Sequence, residues 1–280
     1  MKKTVNMVIR HIFLAFLAFV WLIPIVWLLA TSFSSYKGIN TMHFFPTEWS
    51  LDNYMQLFFR PDTVANFPAW FRNSMIIGVF SCIISTMFVL MVAYSMSCMR
   101  FNGRKAVMSF AIILGMFPGV LSMIAVYFVM KLIGLSNSLV GLIVIYSAGS
   151  GLGYLICKGF FDTIPVSLRE SAKLEGANEL IIFSKIVIPL SKPIIVYTVI
   201  NSFLAPWMDF VMAKLMIRSK DPGDWTVAMG LFNLVQRTLV GDYFSVFCAG
   251  GIIVAIPISV LFVVMQRFYV EGITGGAVKG

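Results

Sequence analysis

The histidines and cysteines of this sequence are few, and no spacing pairs a nucleophile with a base or groups metal ligands. His11 and His43 stand far apart, each near the end of an apolar run or in a loop. Both read as interfacial or solvated groups, not as a catalytic or metal pair. Cys82, Cys98, Cys157 and Cys248 lie in or beside apolar runs without metal-ligand spacing. They read as small core- or lipid-facing residues rather than a disulfide framework. The run SAGSGLG (147–153) is glycine-rich but lacks the Lys-Ser/Thr of a phosphate-cradling loop. Inside an apolar run it reads as a place of close helix packing, or as a helix segment that moves near a gate. Nothing here hydrolyses ATP, so the chain is expected to be non-catalytic and to bind no metal or cofactor itself.

The charged residues that do cluster lie in DTIPVSLRESAKLEGANELIIFSKIVIP (162–189), a polar island in an apolar chain. Ser167 followed by Glu170 makes a capping-box signature. Helix formers run from Leu168 to Glu175, and Gly176 stands where a C-terminal cap belongs. Asn178 can cap a second helical stretch that runs into Pro189. The expected element is helix, tight turn, helix, within a loop at about 161–193. A first helix this short is marginal alone in water and needs a surface to dock on. Two readings fit: a polar connector lying on lipid headgroups, or a docking element for a soluble partner that passes a push into the membrane.

The elements that must position this loop follow from composition. Of 280 residues, 59% are hydrophobic and 12% are charged, about half the charge of a soluble domain. The class is an integral membrane protein. Six stretches suffice to cross a bilayer, at roughly 12–30, 73–96, 107–130, 138–160, 187–207 and 244–266. All are expected to be helices, because lipid satisfies no open sheet edge. The first follows Lys2, Lys3 and Arg10 and lacks a small-residue cleavage site, so it reads as an uncleaved span. If the N-terminus is cytoplasmic, 13 Lys/Arg fall on the cytoplasmic side and 8 on the other. The positive-inside rule then puts both termini in the cytoplasm of a multi-pass plasma-membrane protein. The net charge of +9 follows this topology and forms no nucleic-acid-binding patch. The second, third and sixth spans carry no charge. That argues against an ion-coupled carrier, whose coupling groups sit near mid-membrane. No internal repeat or linker is visible, and the whole chain, 1–280, reads as one transmembrane domain.

The polar loop resembles the cytoplasmic EAA loop of importer-type ABC permeases. That pattern is Glu-Ala-Ala, three residues, Gly, nine residues, then Ile-x-Leu-Pro. Here it reads Glu170-Ser171-Ala172, three residues, Gly176, nine residues, then Ile186-Val187-Ile188-Pro189. Ser171, Ile188 and Glu175 (often Asp in the family) are conservative departures. The stretches FLAPWMDF (203–210) and WTVAMGLF (225–232) and the end QRFYVEGITGGAVKG (266–280) look like the second permease of maltose-type importers. The resemblance is strongest over 160–280.

The resemblance implies an all-α type I ABC importer fold with six transmembrane helices and a cytoplasmic coupling loop, in a bacterial or archaeal plasma membrane. It implies a second homologous permease, two ATPase subunits that hold ATP and Mg, an extracytoplasmic sugar-binding protein and an oligosaccharide cargo, maltodextrin first. Galacto-oligosaccharide, raffinose-type and uronate oligomers are the alternatives within the same design. The ATPase-coupling residues would be Glu170, Ser171, Ala172, Glu175, Gly176, Ala177, Ile186 and Pro189. Thr274, Gly275, Gly276 and Lys279 of the tail would reach between the ATPases. Asp221, Pro222, Gly223, Asp224 and Trp225 are turn-like and would face the binding protein. Tyr197, Asn201, Trp207 and Asp209, with Tyr146 and Tyr154, are candidates for the sugar path, each with packing as its plainer role. An ion-coupled secondary carrier and a membrane scaffold are the competing functions.

Overall fold

The computed structural model describes residues 2–39, 43–59, 64–148 and 153–277. These residues are almost wholly helical, and their only β-type pairing is the isolated bridge Ser34–Trp49. Four helical stretches are long and apolar enough to cross a membrane: Asn6–Ser32, Phe67–Cys98, Leu139–Phe161 and Val240–Gln266. There are six if two bent pairs each count as one span. The first lies within α1 (Lys2–Ser32), the second is α3 (Phe67–Cys98), and the last lies within α13 (Val240–Ala277). The short α2 (Asp52–Phe59) lies between α1 and α3. The third stretch comprises α6 (Leu139–Ala148) and α7 (Gly153–Phe161), and most of the SAGSGLG run lies outside the described residues.

The two remaining expected spans are bent, and prolines stand beside each bend, Pro118 at the first and Pro189 and Pro193 at the second. The stretch expected at 107–130 is α4 (Arg104–Gly115) and α5 (Gly119–Leu132), which meet at 105°. Pro118 cannot donate to the previous turn, and its extended backbone (φ −57°, ψ 123°) starts α5 afresh. The stretch expected at 187–207 becomes α9 (Glu179–Leu190) and α10 (Lys192–Met208), bent by 85° at Ser191. Within α9, Phe183–Val187 is a π-helical turn. The ring of Pro189 displaces the carbonyl four residues back, and the wider turn absorbs it, with the Ile188 N–H bonding the Phe183 carbonyl instead.

The chain divides into two compact units, 1–69 with 230–256, and 70–229 with 257–280. In the first, buried Asn53 donates to the Ser32 and Ser34 carbonyls (3.0 and 2.8 Å) and ties the end of α1 to α2. The Ser245 hydroxyl of α13 donates to the Tyr36 carbonyl at 2.6 Å. None of the apolar window of α1 is buried against this chain, against 44% for α3.

The second unit holds the site. One of its clusters packs Tyr94 of α3 and Cys157 of α7 against Ala172, Ile182 and Val187. Another packs Ile77, Tyr127, Leu142 and Met216. At Gly141 on α6, a Cβ would lie 2.1 Å from the Leu135 carbonyl oxygen and 2.9 Å from the Met216 methyl. Backbone cannot yield to it, so Gly141→Ala should cost about 1–3 kcal/mol by overpacking and lower the thermal melting point in detergent. Gly159→Ala, whose Cβ meets nothing within 4 Å, should leave it unchanged or raise it.

Candidate functional site

The polar loop contains the expected helix, turn and helix. Its first helix is α8 (Val166–Leu174), which begins two residues earlier than the Ser167 signature suggests. Pro165 is its N-cap, and Ser167 lies inside the first turn without a capping bond. Proline fixes φ and gives up an N–H that would have no partner there, so it sets the start in place of the serine. The C-terminus of α8 forms a Schellman turn. The Ala177 N–H bonds the Ala172 carbonyl (2.9 Å), the Gly176 N–H bonds the Lys173 carbonyl (3.0 Å), and Gly176 sits at φ +87°. The Asn178 side chain then caps α9 by accepting from the Ile181 N–H at 2.9 Å.

Side chains tie this loop to the end of α3. Arg169 donates to the Cys98 carbonyl at 3.1 Å. The Tyr94 hydroxyl donates to the Glu179 carboxylate at 2.5 Å, and the Lys173 ammonium contacts its other oxygen at 2.5 Å. These two donors, Lys173 first, hold the Glu179 carboxyl below the usual range against a smaller opposing effect of burial. Asp162, just before the loop, accepts from Lys158 and Ser97. Partial burial pushes its pKa up, but those two bonds together outweigh it and hold it down.

Of the eight expected coupling residues, Ala172 is buried within the second unit, and Ala177 and Ile186 are half-buried. Glu170, Ser171, Glu175, Gly176 and Pro189 are exposed. Beside them stand the apolar side chains of Leu174, at 90% exposure, and of Leu180, which sequence reasoning did not single out, at 72%. Two leucines so exposed at a polar turn leave an apolar patch that this chain does not cover. Their signal was present as leucines flanking the Gly176 turn.

The expected external segment is a pinned turn. The Trp70 indole N–H donates to the Pro222 carbonyl (2.8 Å), and the Asn73 amide donates to the Gly223 and Trp225 carbonyls (2.9 and 3.0 Å). Asp221 accepts from the Gly223 N–H at 2.8 Å. Trp225 stacks on Trp70 at 6.3 Å and anchors the turn, while Asp221 and Asp224 stay exposed. Thr274, Gly275 and Gly276 lie in the helical backbone at the end of α13, and Lys279 lies outside the described residues.

A cavity of about 550 Å³ opens in the second unit. Ser85 and Val89 of α3 line it at helical spacing, and α5 contributes Gly119, Ser122, Met123 and Val126. Tyr197, Thr198, Asn201, Ser202 and Ala205 form its stripe on α10, with Asp209 beyond them and Tyr146 of α6 opposite. Tyr146 donates to one Asp209 oxygen at 3.1 Å, and the other accepts from the Met212 N–H of α11 (Val211–Met216) at 2.9 Å. Tyr197, Asn201 and Asp209 therefore line one cavity. Trp207 does not join them. It is buried between Phe71 and Phe203, with Gly78 leaving room for its indole. Tyr154 is buried in the cluster around Cys157. Ser85, Ser122 and Ser202 were missed because a serine in an apolar helix usually bonds its own backbone.

Apolar helices of spanning length, a cavity with a polar stripe and a polar helix–turn–helix loop are the features of a multi-pass membrane component. Among the described residues no cluster of His, Cys, Asp and Glu could hold a metal. Residues 90–274 match the family of binding-protein-dependent transport system inner membrane components, and the chain belongs to it. It is a multi-pass membrane component of that transporter class and non-catalytic. It is 32% identical to the galactooligosaccharides transport system permease protein GanQ of Bacillus subtilis, over 100% of this chain and 98% of that one. It is 33% identical to the maltodextrin transport system permease protein MdxG of the same organism, over 99% and 98%. Its fold matches one chain of the crystal structure of a bacterial ABC transporter involved in the import of the acidic polysaccharide alginate. The TM-score is 0.77 at 21% identity, covering 96% of this chain and 98% of that chain.

Proposed function

We propose that this chain is a permease subunit of an ATP-driven importer for an oligosaccharide, acting over its whole length as one transmembrane domain. It forms half of the translocation path beside a second, homologous permease. Its six spans place both termini in the cytoplasm. Two cytoplasmic ATPase subunits bind ATP and Mg, and this chain binds neither. A sugar-binding protein delivers the cargo from outside, facing the turn at Asp221–Trp225, and the tail from Thr274 reaches toward the ATPases.

The observation that carries this reading is the loop. A Schellman turn at Gly176 presents Glu170, Glu175 and Leu174 outward, while Arg169 and Glu179 bind the same loop to α3. A partner that closes on the outer face would move a rigid element fixed to a spanning helix, which is how hydrolysis in one chain reorients a cavity in another. The oligosaccharide assignment draws on relatives that carry galactooligosaccharides and maltodextrin.

Purification of the chain in mild detergent from its native membrane tests the assembly. A nucleotide-binding ATPase should co-purify, and Leu174→Glu should release it while the helical circular dichroism is kept. Retention of the ATPase by Leu174→Glu would remove the exposed loop face from the interface.

A further inference from the structure

Asp209 is the only charged group among the described residues lining the cavity, and no Lys, Arg or His faces it there. A carboxylate in a largely apolar lining without a cation is costly to keep, and an ionisable group at a membrane cavity marks a functional site. Two of its roughly four acceptor positions are taken, by the Tyr146 hydroxyl and the Met212 N–H. The rest can accept from ligand hydroxyls. Around it stand the rings of Tyr146 and Tyr197, the Asn201 amide and the hydroxyls of Ser85, Ser122 and Ser202. Apolar surface with a few placed polar groups is the composition that orients a small polyhydroxylated ligand.

We propose that this cavity is a saccharide subsite that selects uncharged sugars over acidic ones, with Asp209 as the discriminating residue. The inference rests on the importer reading above and adds the charge class of the cargo. A neutral sugar donates hydroxyls to Asp209. An acidic sugar brings a second negative charge into a cavity of reduced dielectric to which the described residues of this chain add no cation. The same fold serves an importer of an acidic polysaccharide, so the architecture by itself does not fix the charge of the cargo.

The test uses the complete transporter with its binding protein in proteoliposomes loaded with ATP. The probes are a glucose-linked or galactose-linked trisaccharide, whichever the wild type takes up, and the aldonic acid made by oxidising its reducing end. Each is supplied at a concentration that saturates the binding protein. The wild type should favour the neutral chain by about tenfold or more. Asp209→Asn keeps an oxygen for the Met212 N–H and removes the charge. It should slow neutral uptake and speed acidic uptake, bringing the ratio to about threefold or less. Tyr146→Phe keeps the charge and should slow neutral uptake with the ratio preserved. A ratio unchanged in Asp209→Asn, or one that collapses equally in Tyr146→Phe, overturns the proposal. A wild type that takes up neither chain with ATP present contradicts the importer reading itself.

Discussion

Replacing Gly176 with valine is expected to abolish the proposed ATP-driven uptake while the chain still inserts in the membrane. Gly176 holds φ +87° at the end of α8, and a Cβ there would touch nothing within 4 Å. The penalty is therefore backbone strain, about 1–3 kcal/mol for a residue forced into this region and greatest when it is β-branched. The Schellman bonds from Gly176 and Ala177 depend on that conformation. Losing them frees the end of α8 and turns Leu174 and Glu175 away from the face they present. Asn tolerates the left-handed region, so Gly176→Asn should keep much of the uptake, Gly176→Ala less and Gly176→Val almost none. Uptake in all three at the wild-type rate would mean that the turn transmits nothing.

Tyr94→Phe is expected to raise the ATP hydrolysed per sugar imported, without releasing the ATPase. The hydroxyl it removes donates to the Glu179 carboxylate at 2.5 Å and joins α3 to the loop. A hydrogen bond to a charged group contributes about 1.5–3 kcal/mol. The Lys173–Glu179 pair is half-exposed, with side-chain accessibilities of 53% and 36%, and such pairs contribute about 0–1 kcal/mol. Lys173→Met should therefore disturb coupling less than Tyr94→Phe. The ring contact of Tyr94 with Phe183 at 5.0 Å persists in phenylalanine, so the change isolates the hydroxyl. ATPase activity and uptake measured in the same vesicles give the ratio. Equal losses of both would mean that Tyr94 merely stabilises the fold.

Apolar run length located most of the helices, and the spacing from Glu170 to Pro189 located the loop, because both depend on local sequence. The Gly176 turn and the Asn178 cap follow from residue type at one position each. The start of α8 did not follow, since Pro165 and Ser167 are both good starters and only the packed chain decides between them. Prolines stand in the sequence beside both bends, Pro118 at the first and Pro189 and Pro193 at the second, but the angles depend on which helix packs beside each half. The ties from Tyr94 to Glu179 and from Arg169 to Cys98 join residues far apart in the chain, and no local pattern announces such pairs. Trp207 illustrates the same limit. An aromatic near a polar path resembles a sugar platform in sequence, yet the small Gly78 opposite draws it into packing.

The most direct measurement of the account is sugar uptake by proteoliposomes containing this chain, its partner permease, the ATPase and the binding protein. Uptake should require ATP inside the vesicle and the binding protein outside, and should persist when proton and sodium gradients are collapsed. Uptake driven by an ion gradient in the absence of ATP would contradict it.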